Sequence, residues 1–181
     1  MEWWRYVTGW RSSRFLLSDF YRKTTTLCQG DAVFMNTFKR ALPENLEAIQ
    51  HFLKENKLRT SIVINEQSIY FYIQNEGRII GTIGAELNGH CALIRAAGVS
   101  PEYRRQRVAN RLFDRLVQEL ELNGVTYLYL FSRQAADFWS NMGFSKCEIQ
   151  EVIDVLSNTP QVQEFLKDNS IWTDVAWFRK L

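Results

Sequence analysis

The sequence predicts an α/β (α+β) fold, a mixed and mostly antiparallel central sheet of about six to seven strands with helices on both faces. Three observations lead there. Segments of strand character at 69–74, 78–87 and 91–99 are separated first by Asn75, Glu76 and Gly77 and then by Asn88 and Gly89, turn residues that make them consecutive antiparallel strands. Residues 91–131 then read strand, loop, helix, strand, a crossover that requires its two strands to be parallel. Shorter helices and strands alternate from there to residue 181.

Taken in order, a short strand at 38–42 precedes Pro43 at a first helical position. Leu46, Ile49, His51, Phe52 and Leu53 form an apolar face at helical spacing, so a first helix runs to Asn56. Residues 69–74, IYFYIQ, are the β-branched and aromatic types that fit a strand. Val108, Leu112, Leu116 and Leu120 recur every four residues, with Ala109, Phe113 and Val117 beside them and Gly124 where a helix would stop. VTYLYLF at 125–131 is an apolar run of strand length. A short helix at 135–142 ends at Gly143, and a strand at 145–150, a polar helix at 160–167 and a closing strand at 175–180 complete the pattern.

The composition fits one globular domain. With 181 residues, 46% hydrophobic, 23% charged and 14% aromatic, the chain can bury a core, which excludes disorder and argues against two independent catalytic domains. Its 22 basic and 20 acidic side chains leave a net charge of +2, which argues against nucleic acid as a partner. Cys28, Cys91 and Cys147 are odd in number, widely spaced and without a CxxC pair, so neither a disulfide framework nor a metal site is indicated, and a cytoplasmic location is expected. No run approaches the roughly 18 apolar residues of a membrane helix, and no membrane partner is expected. Residues 1–34 differ from the rest, with Trp3, Trp4 and Trp10 among Arg5, Arg11, Arg14, Arg22 and Lys23. They read as an added helix, a surface patch for a membrane or partner, or an upstream extension ahead of a domain at 35–181.

The most informative stretch is VSPEYRRQRVAN at 99–110, which leaves a strand and opens the strongest helix. The first amides of a helix lack intrahelical acceptors and carry the positive end of its dipole, so such a turn suits a phosphate. Arg104, Arg105 and Arg107 surround it, and Arg111 and Arg115 continue the basic line, which an ordinary solvated helix face would also explain.

VSPEYR at 99–104 with Gln106, Ala109 and Leu112, followed after a strand by ADFWSNMGF at 136–144, resembles the acetyl-CoA-dependent GCN5-related N-acetyltransferases over residues 37–181. The segment Ala92, Leu93, Ile94, Arg95, Ala96 and the tail 159–181 are more weakly similar to acetyltransferases associated with arsenic-resistance clusters. The resemblance implies the acyl-CoA N-acyltransferase fold, whose parallel strand pair is splayed to admit the pantetheine arm of acetyl-CoA, the co-substrate. It implies that Ala97, Gly98 and Val99 pair with that arm, that Arg104, Arg105, Gln106, Arg107, Val108, Ala109 and Asn110 cradle the pyrophosphate, and that Phe138 and Trp139 lie near the acetyl end. Gly98 fits physically, since a bulge or close ligand approach favours a residue without a side chain. Two residues depart from the family pattern. Arg107 replaces its central glycine, and Trp139 stands where many members carry the tyrosine that protonates the leaving thiolate, a task indole cannot perform.

The implied reaction, attack of a neutral amine on a thioester, needs a proton acceptor, donors for the oxyanion and tight positioning. Glu86 is the candidate catalytic base; a solvated glutamate beside the Asn88 and Gly89 turn is the plainer alternative. His90 is a rival base and His51 a structural residue of its helix. Arg95 interrupts a small apolar run, which is costly unless it meets an anion, so it is read either as a clamp for a substrate carboxylate or as the partner of an acidic neighbour. Cys91 fits a small buried hydrophobe, and Ser132 either touches substrate or caps a loop. The leading function is N-acetylation of a small-molecule amine, with an amino acid or analogue suggested by Arg95 and Glu86. A non-catalytic acyl-CoA-binding or interaction protein on a degenerate fold is the alternative, and binding of nucleic acid by the N-terminal residues a third. Monomer and homodimer both remain open.

Overall fold

The computed structural model describes residues 38–181, so the readings of residues 1–34 lie outside the described residues. The strands are β1 (Phe38–Arg40), β2 (Ser68–Asn75), β3 (Arg78–Asn88), β4 (Cys91–Val99), β5 (Tyr127–Phe131), β6 (Ser145–Cys147) and β7 (Ala176–Lys180). The helices are α1 (Leu46–Glu55), α2 (Val108–Leu122), α3 (Ala136–Asn141), α4 (Ile149–Leu156) and α5 (Pro160–Lys167). One sheet runs in the order β1-β2-β3-β4-β5-β7-β6, antiparallel at every step except β4 to β5. The crossover through α2 thus produces the parallel pair, as the pattern at 91–131 requires.

Side-chain alternation divides the core between the two faces. On one, Ile49, Phe52 and Leu53 of α1 pack on Tyr70 and Tyr72, while Val152 and Leu156 of α4 and Val162 and Phe165 of α5 cover Leu93 and Tyr129. On the other, α2 brings Val108 and Leu112 against Gly81 and holds Arg115 over the Phe71 ring at 4.7 Å.

Three local expectations are corrected. The strand expected at 145–150 stops at Cys147, and α4 follows, an element the sequence pattern missed. Ile149, Val152, Ile153 and Val155 have strand character, but Val152 and Leu156 fall one helical turn apart and are buried together, so tertiary packing overrides local preference. The first helix begins with a 3-10 turn, Pro43–Asn45, where Asn45 Oδ1 accepts a hydrogen bond from Leu42 N at 2.9 Å. His51 does not join the apolar face; it is exposed and lies 3.1 Å from Glu55.

The feature that makes a site is the parting of β4 from β5. They pair only from Cys91 to Ile94, against Tyr127 to Leu130, and the remainder of β4 continues without that neighbour. On its other side β4 slips in register against β3, since Thr82 lies opposite Gly98 but Gly84 opposite Arg95. The extra residue is accommodated as a bulge, with Ala96 at a φ of 51° and its carbonyl accepting from Thr82 Oγ1 at 2.7 Å. Nearby, the Tyr70 ring lies flat over Gly84, and a Cβ at that position would collide with ring carbons. Gly84→Ala is therefore expected to cost about 2–3 kcal/mol of stability, measured by urea denaturation, because the buried ring has no room to retreat.

Candidate active site

Where β4 and β5 part, a cleft of about 590 Å³ passes through the sheet from the α2 side to the α5 side. Ala97, Gly98, Val99, Arg104 and Ala109 line it toward α2, Phe138, Trp139, Phe131 and Ser132 toward α3 and the end of β5, and Arg95, Gln161, Phe165 and Asp174 toward α5. Gly98 permits a close approach from the chain itself: a Cβ there would collide with Leu58 of the loop after α1, which also borders the cleft.

At the α2 end the chain turns through two left-handed residues, Arg105 at φ 60° and Arg107 at φ 59°, before the helix begins at Val108. Arg104 Nε donates to Val99 O at 3.2 Å, and Gln106 Nε2 donates to Glu102 O at 2.8 Å, so the turn is braced from within. A non-glycine residue in this region costs on the order of 1 kcal/mol, a cost met in folding and not on binding a ligand. The structure distributes the expected phosphate residues unequally. Arg104 and Ala109 line the cleft, whereas Arg105, Gln106, Arg107 and Asn110 are exposed and do not line it. Val108 is buried against Gly81, which leaves only its backbone amide for such a role.

Glu86 and Arg95 are diagonal neighbours on β3 and β4 and form a buried ion pair through Glu86 Oε1 and Arg95 Nη1, each side chain 2% exposed. Arg95 Nη2 donates to Ser61 O at 2.6 Å, and Glu86 Oε2 accepts from the backbone N of Gln161 at 2.9 Å. This geometry bears out the reading of Arg95 as the partner of an acidic neighbour, and it corrects the readings of Glu86 as a base or a solvated residue and of Arg95 as a substrate clamp. Both carboxylate oxygens of Glu86 are committed and Glu86 does not line the main cleft, so it is not poised to take a proton from an amine there. Both Nη groups of Arg95 are likewise engaged, so it cannot present its fork to a substrate carboxylate. Burial pushes the hydroxyl of the adjacent Tyr70 up in pKa, opposed by Arg95 and reinforced by Glu86, which keeps it protonated.

His90 is exposed, with Nδ1 2.9 Å from Gly124 O, and does not line the cleft. Cys91 is half-buried beside Leu93 and Tyr129, and burial pushes its thiol up, which fits packing and not nucleophilic chemistry. Trp139 both packs in the core and borders the cleft. It meets Phe113 and Phe144 edge-on at 6.3 Å and 5.4 Å between centroids, and it lines the cleft. Ser132 lines the cleft, its N–H donating to Val175 O and its carbonyl accepting from Trp177 Nε1, both at 2.9 Å. Among the described residues no cluster of side chains could hold a metal ion. No described helix is long and apolar enough to cross a membrane.

Sequence reasoning missed Gln161, Phe165 and Asp174. Pro160 marks the start of α5, but nothing local connects that helix to a glutamate 75 positions earlier. Among the described residues that line the cleft Asp174 is the only carboxylate, and there is no histidine or tyrosine. Its Oδ1 accepts from Val175 N at 3.0 Å and stands 4.0 Å from Arg133 Nε.

A model of the acetyltransferase (GNAT) family matches residues 33–144. This chain belongs to the GNAT family. No functionally curated protein matches it at significance. Among solved GNAT-fold structures, an acetyltransferase of the family from Staphylococcus aureus is 16% identical with a TM-score of 0.59, covering 80% of this chain and 98% of its own. Rv2747 from Mycobacterium tuberculosis, solved with CoA, is 17% identical with a TM-score of 0.61 over 80% and 98% of the two chains. N-acetylglutamate synthase from Neisseria gonorrhoeae, solved with coenzyme A and N-acetyl-glutamate, is 14% identical with a TM-score of 0.59, over 80% of this chain and 35% of that one. At these identities the likeness is one of fold alone.

Two outcomes follow from the geometry. Glu86→Gln leaves Arg95 buried without its counter-charge and is expected to lower stability by about 3–5 kcal/mol in denaturant titration. Arg107→Gly relieves the left-handed strain but adds freedom to the unfolded chain, so a net gain of at most about 1 kcal/mol is expected by the same measurement.

Proposed function

We propose that this protein is an N-acetyltransferase that moves an acetyl group from acetyl-CoA to the amine of a small molecule. The observation that carries the proposal is the conjunction of a splayed β4 edge with a helix N-terminus and Arg104 on one continuous cleft, in a chain of the GNAT family. The open edge at Ala97, Gly98 and Val99 offers backbone groups to an amide-bearing arm, and the turn at 104–109 offers amides and cations to a diphosphate, so the residues present fit acetyl-CoA. When bound, acetyl-CoA supplies an activated acyl group.

The chain's own residues orient the acceptor, exclude water and move a proton. Phe131, Phe138, Trp139 and Phe165 make apolar walls around the acceptor's approach. Asp174 is the group we assign to take the proton from the amine, through water, with the hydrogen bond from Val175 N fixing its orientation. Glu86 then serves by holding Arg95, and Arg95 and Ser132 remain on the acceptor side of the cleft. Among the described residues no tyrosine lines the cleft to protonate the thiolate, which leaves to solvent. An amino acid or analogue is the finer reading of the acceptor, and an arsenic-cluster-type acetyltransferase the finer reading of the family. A cytoplasmic location agrees with the three unpaired-by-motif cysteines. Arg107 and Trp139 favour a second reading, an acyl-CoA-binding protein without turnover.

Calorimetric titration with acetyl-CoA, together with free-thiol release over a panel of amines, tests the proposal. Micromolar binding and amine-dependent release are expected. Arg104→Ala should weaken binding several-fold, and Asp174→Asn should lower kcat at least tenfold with acetyl-CoA affinity retained. Binding without release over the whole panel would establish the second reading in place of the first.

A further inference from the structure

Two polar side-chain atoms, each on a residue that lines the cleft, stand out because nothing satisfies them. Arg95 is 5% exposed and Gln161 8% exposed, and both line the cleft. Arg95 Nε, a donor, and Gln161 Oε1, an acceptor, are each buried without a hydrogen-bond partner. Buried polar groups are nearly always paired, and leaving one unpaired costs about 1–3 kcal/mol. Nη1 and Nη2 of Arg95 are held by Glu86 and Ser61, and the backbone N of Gln161 by Glu86, while the Tyr70 hydroxyl beside the pair is a third buried polar atom without a partner.

We propose that this donor and acceptor form the acceptor-recognition subsite, and that its ligand is an uncharged carboxamide carried by the amine substrate. This rests on the acetyl-transfer reading of the cleft. The charge balance selects the group. Arg95 is matched one to one by Glu86 in a pair shut off from water, so its own charge is already neutralised. A carboxylate could accept from Arg95 Nε but would set its negative oxygen against the lone pairs of Gln161 Oε1. An ester or ketone could accept from Nε and would leave Oε1 unpaired. A carboxamide alone among these fills both, its carbonyl accepting from Arg95 Nε–H and its N–H donating to Gln161 Oε1. The amino-acid analogue that suits the cleft is thus one whose carboxylate is replaced by an amide, or one with an amide in its side chain. Phe165, also on α5 and also lining the cleft, adds an apolar surface beside that group.

The test compares matched acceptors by thiol release from acetyl-CoA: leucinamide with leucine methyl ester, and glutamine with glutamate. Each pair holds the basicity of the amine nearly constant and changes the recognised group. In at least one pair the carboxamide is expected to be favoured tenfold or more in kcat/KM, and Gln161→Leu should reduce that ratio below threefold. Gln161→Met serves the same purpose if the leucine variant does not fold, since the bond to Glu86 uses the backbone of residue 161. No preference in either pair, or a preference that survives substitution of Gln161, overturns the inference while leaving acetyl transfer intact. If no amine is turned over, acetyl transfer falls instead, and calorimetry of leucinamide and glutamine on the CoA-loaded protein decides the subsite. Binding lost in the Gln161 variant upholds it, and absence of binding overturns it.

Discussion

The ion pair between Glu86 and Arg95 joins four separate parts of the chain at one point. Glu86 stands on β3 and Arg95 on β4; the loop after α1 contributes the carbonyl of Ser61, and α5 contributes the amide of Gln161. A charge buried in this way is costly unless it is paired and hydrogen-bonded, so the pair dictates where its neighbours sit. The α5 helix presents its N-terminal end to the carboxylate, an arrangement the helix dipole favours. The loop is then drawn across the sheet, where Ser61 Oγ donates to Glu164 at 2.6 Å and Arg59 lies over the Phe165 ring at 4.1 Å. Acceptor-side walls and sheet are in this sense one construction.

The opening itself has a different origin. β4 carries one residue more than β3 requires, and the bulge at Ala96 turns it away from β5 after only four paired residues. The ladder bonds that β4 gives up there leave backbone groups on an accessible edge, and a bulge retained beside a cleft is a common way of aiming backbone at a ligand. Thr82, 1% exposed, answers the Ala96 carbonyl and so holds the distortion in place. Left-handed residues at Ala96, Arg105, Arg107 and Ala135 all fall along or beside this cleft. Backbone strain of this kind, concentrated at one place and braced by packing, marks functional sites more often than structural ones.

Much of this was legible in the sequence because it is written locally. The two tight turns, the fourfold spacing of Val108, Leu112, Leu116 and Leu120, and the apolar run before Phe131 each act within a few residues, and together they require the parallel pair. The turn at 99–110 was legible for the same reason, since helix start, proline and arginines are consecutive. Glu86 at a strand end and Arg95 within an apolar run stand out in the sequence, and pairing of Arg95 with an acidic neighbour is legible there as one of two readings, but the sequence does not identify Glu86 as that neighbour. The helix at Ile149–Leu156 escaped notice because β-branched residues there resemble a strand until their burial is known.

By itself, then, the sequence determined the sheet, the crossover and the basic turn at the head of α2, which rest on short-range patterns of polarity and turn chemistry, and its motifs carried the resemblance to the GNAT family. Only the tertiary structure decided which charges neutralise one another, which carboxylate faces the cleft, and which polar atoms are left for a ligand. Those outcomes depend on contacts between residues as far apart as Ser61, Glu86, Arg95 and Gln161. Electrostatic pairing in a buried site is set by distance in space and by exclusion of water, and neither is written in the spacing of residues along a chain.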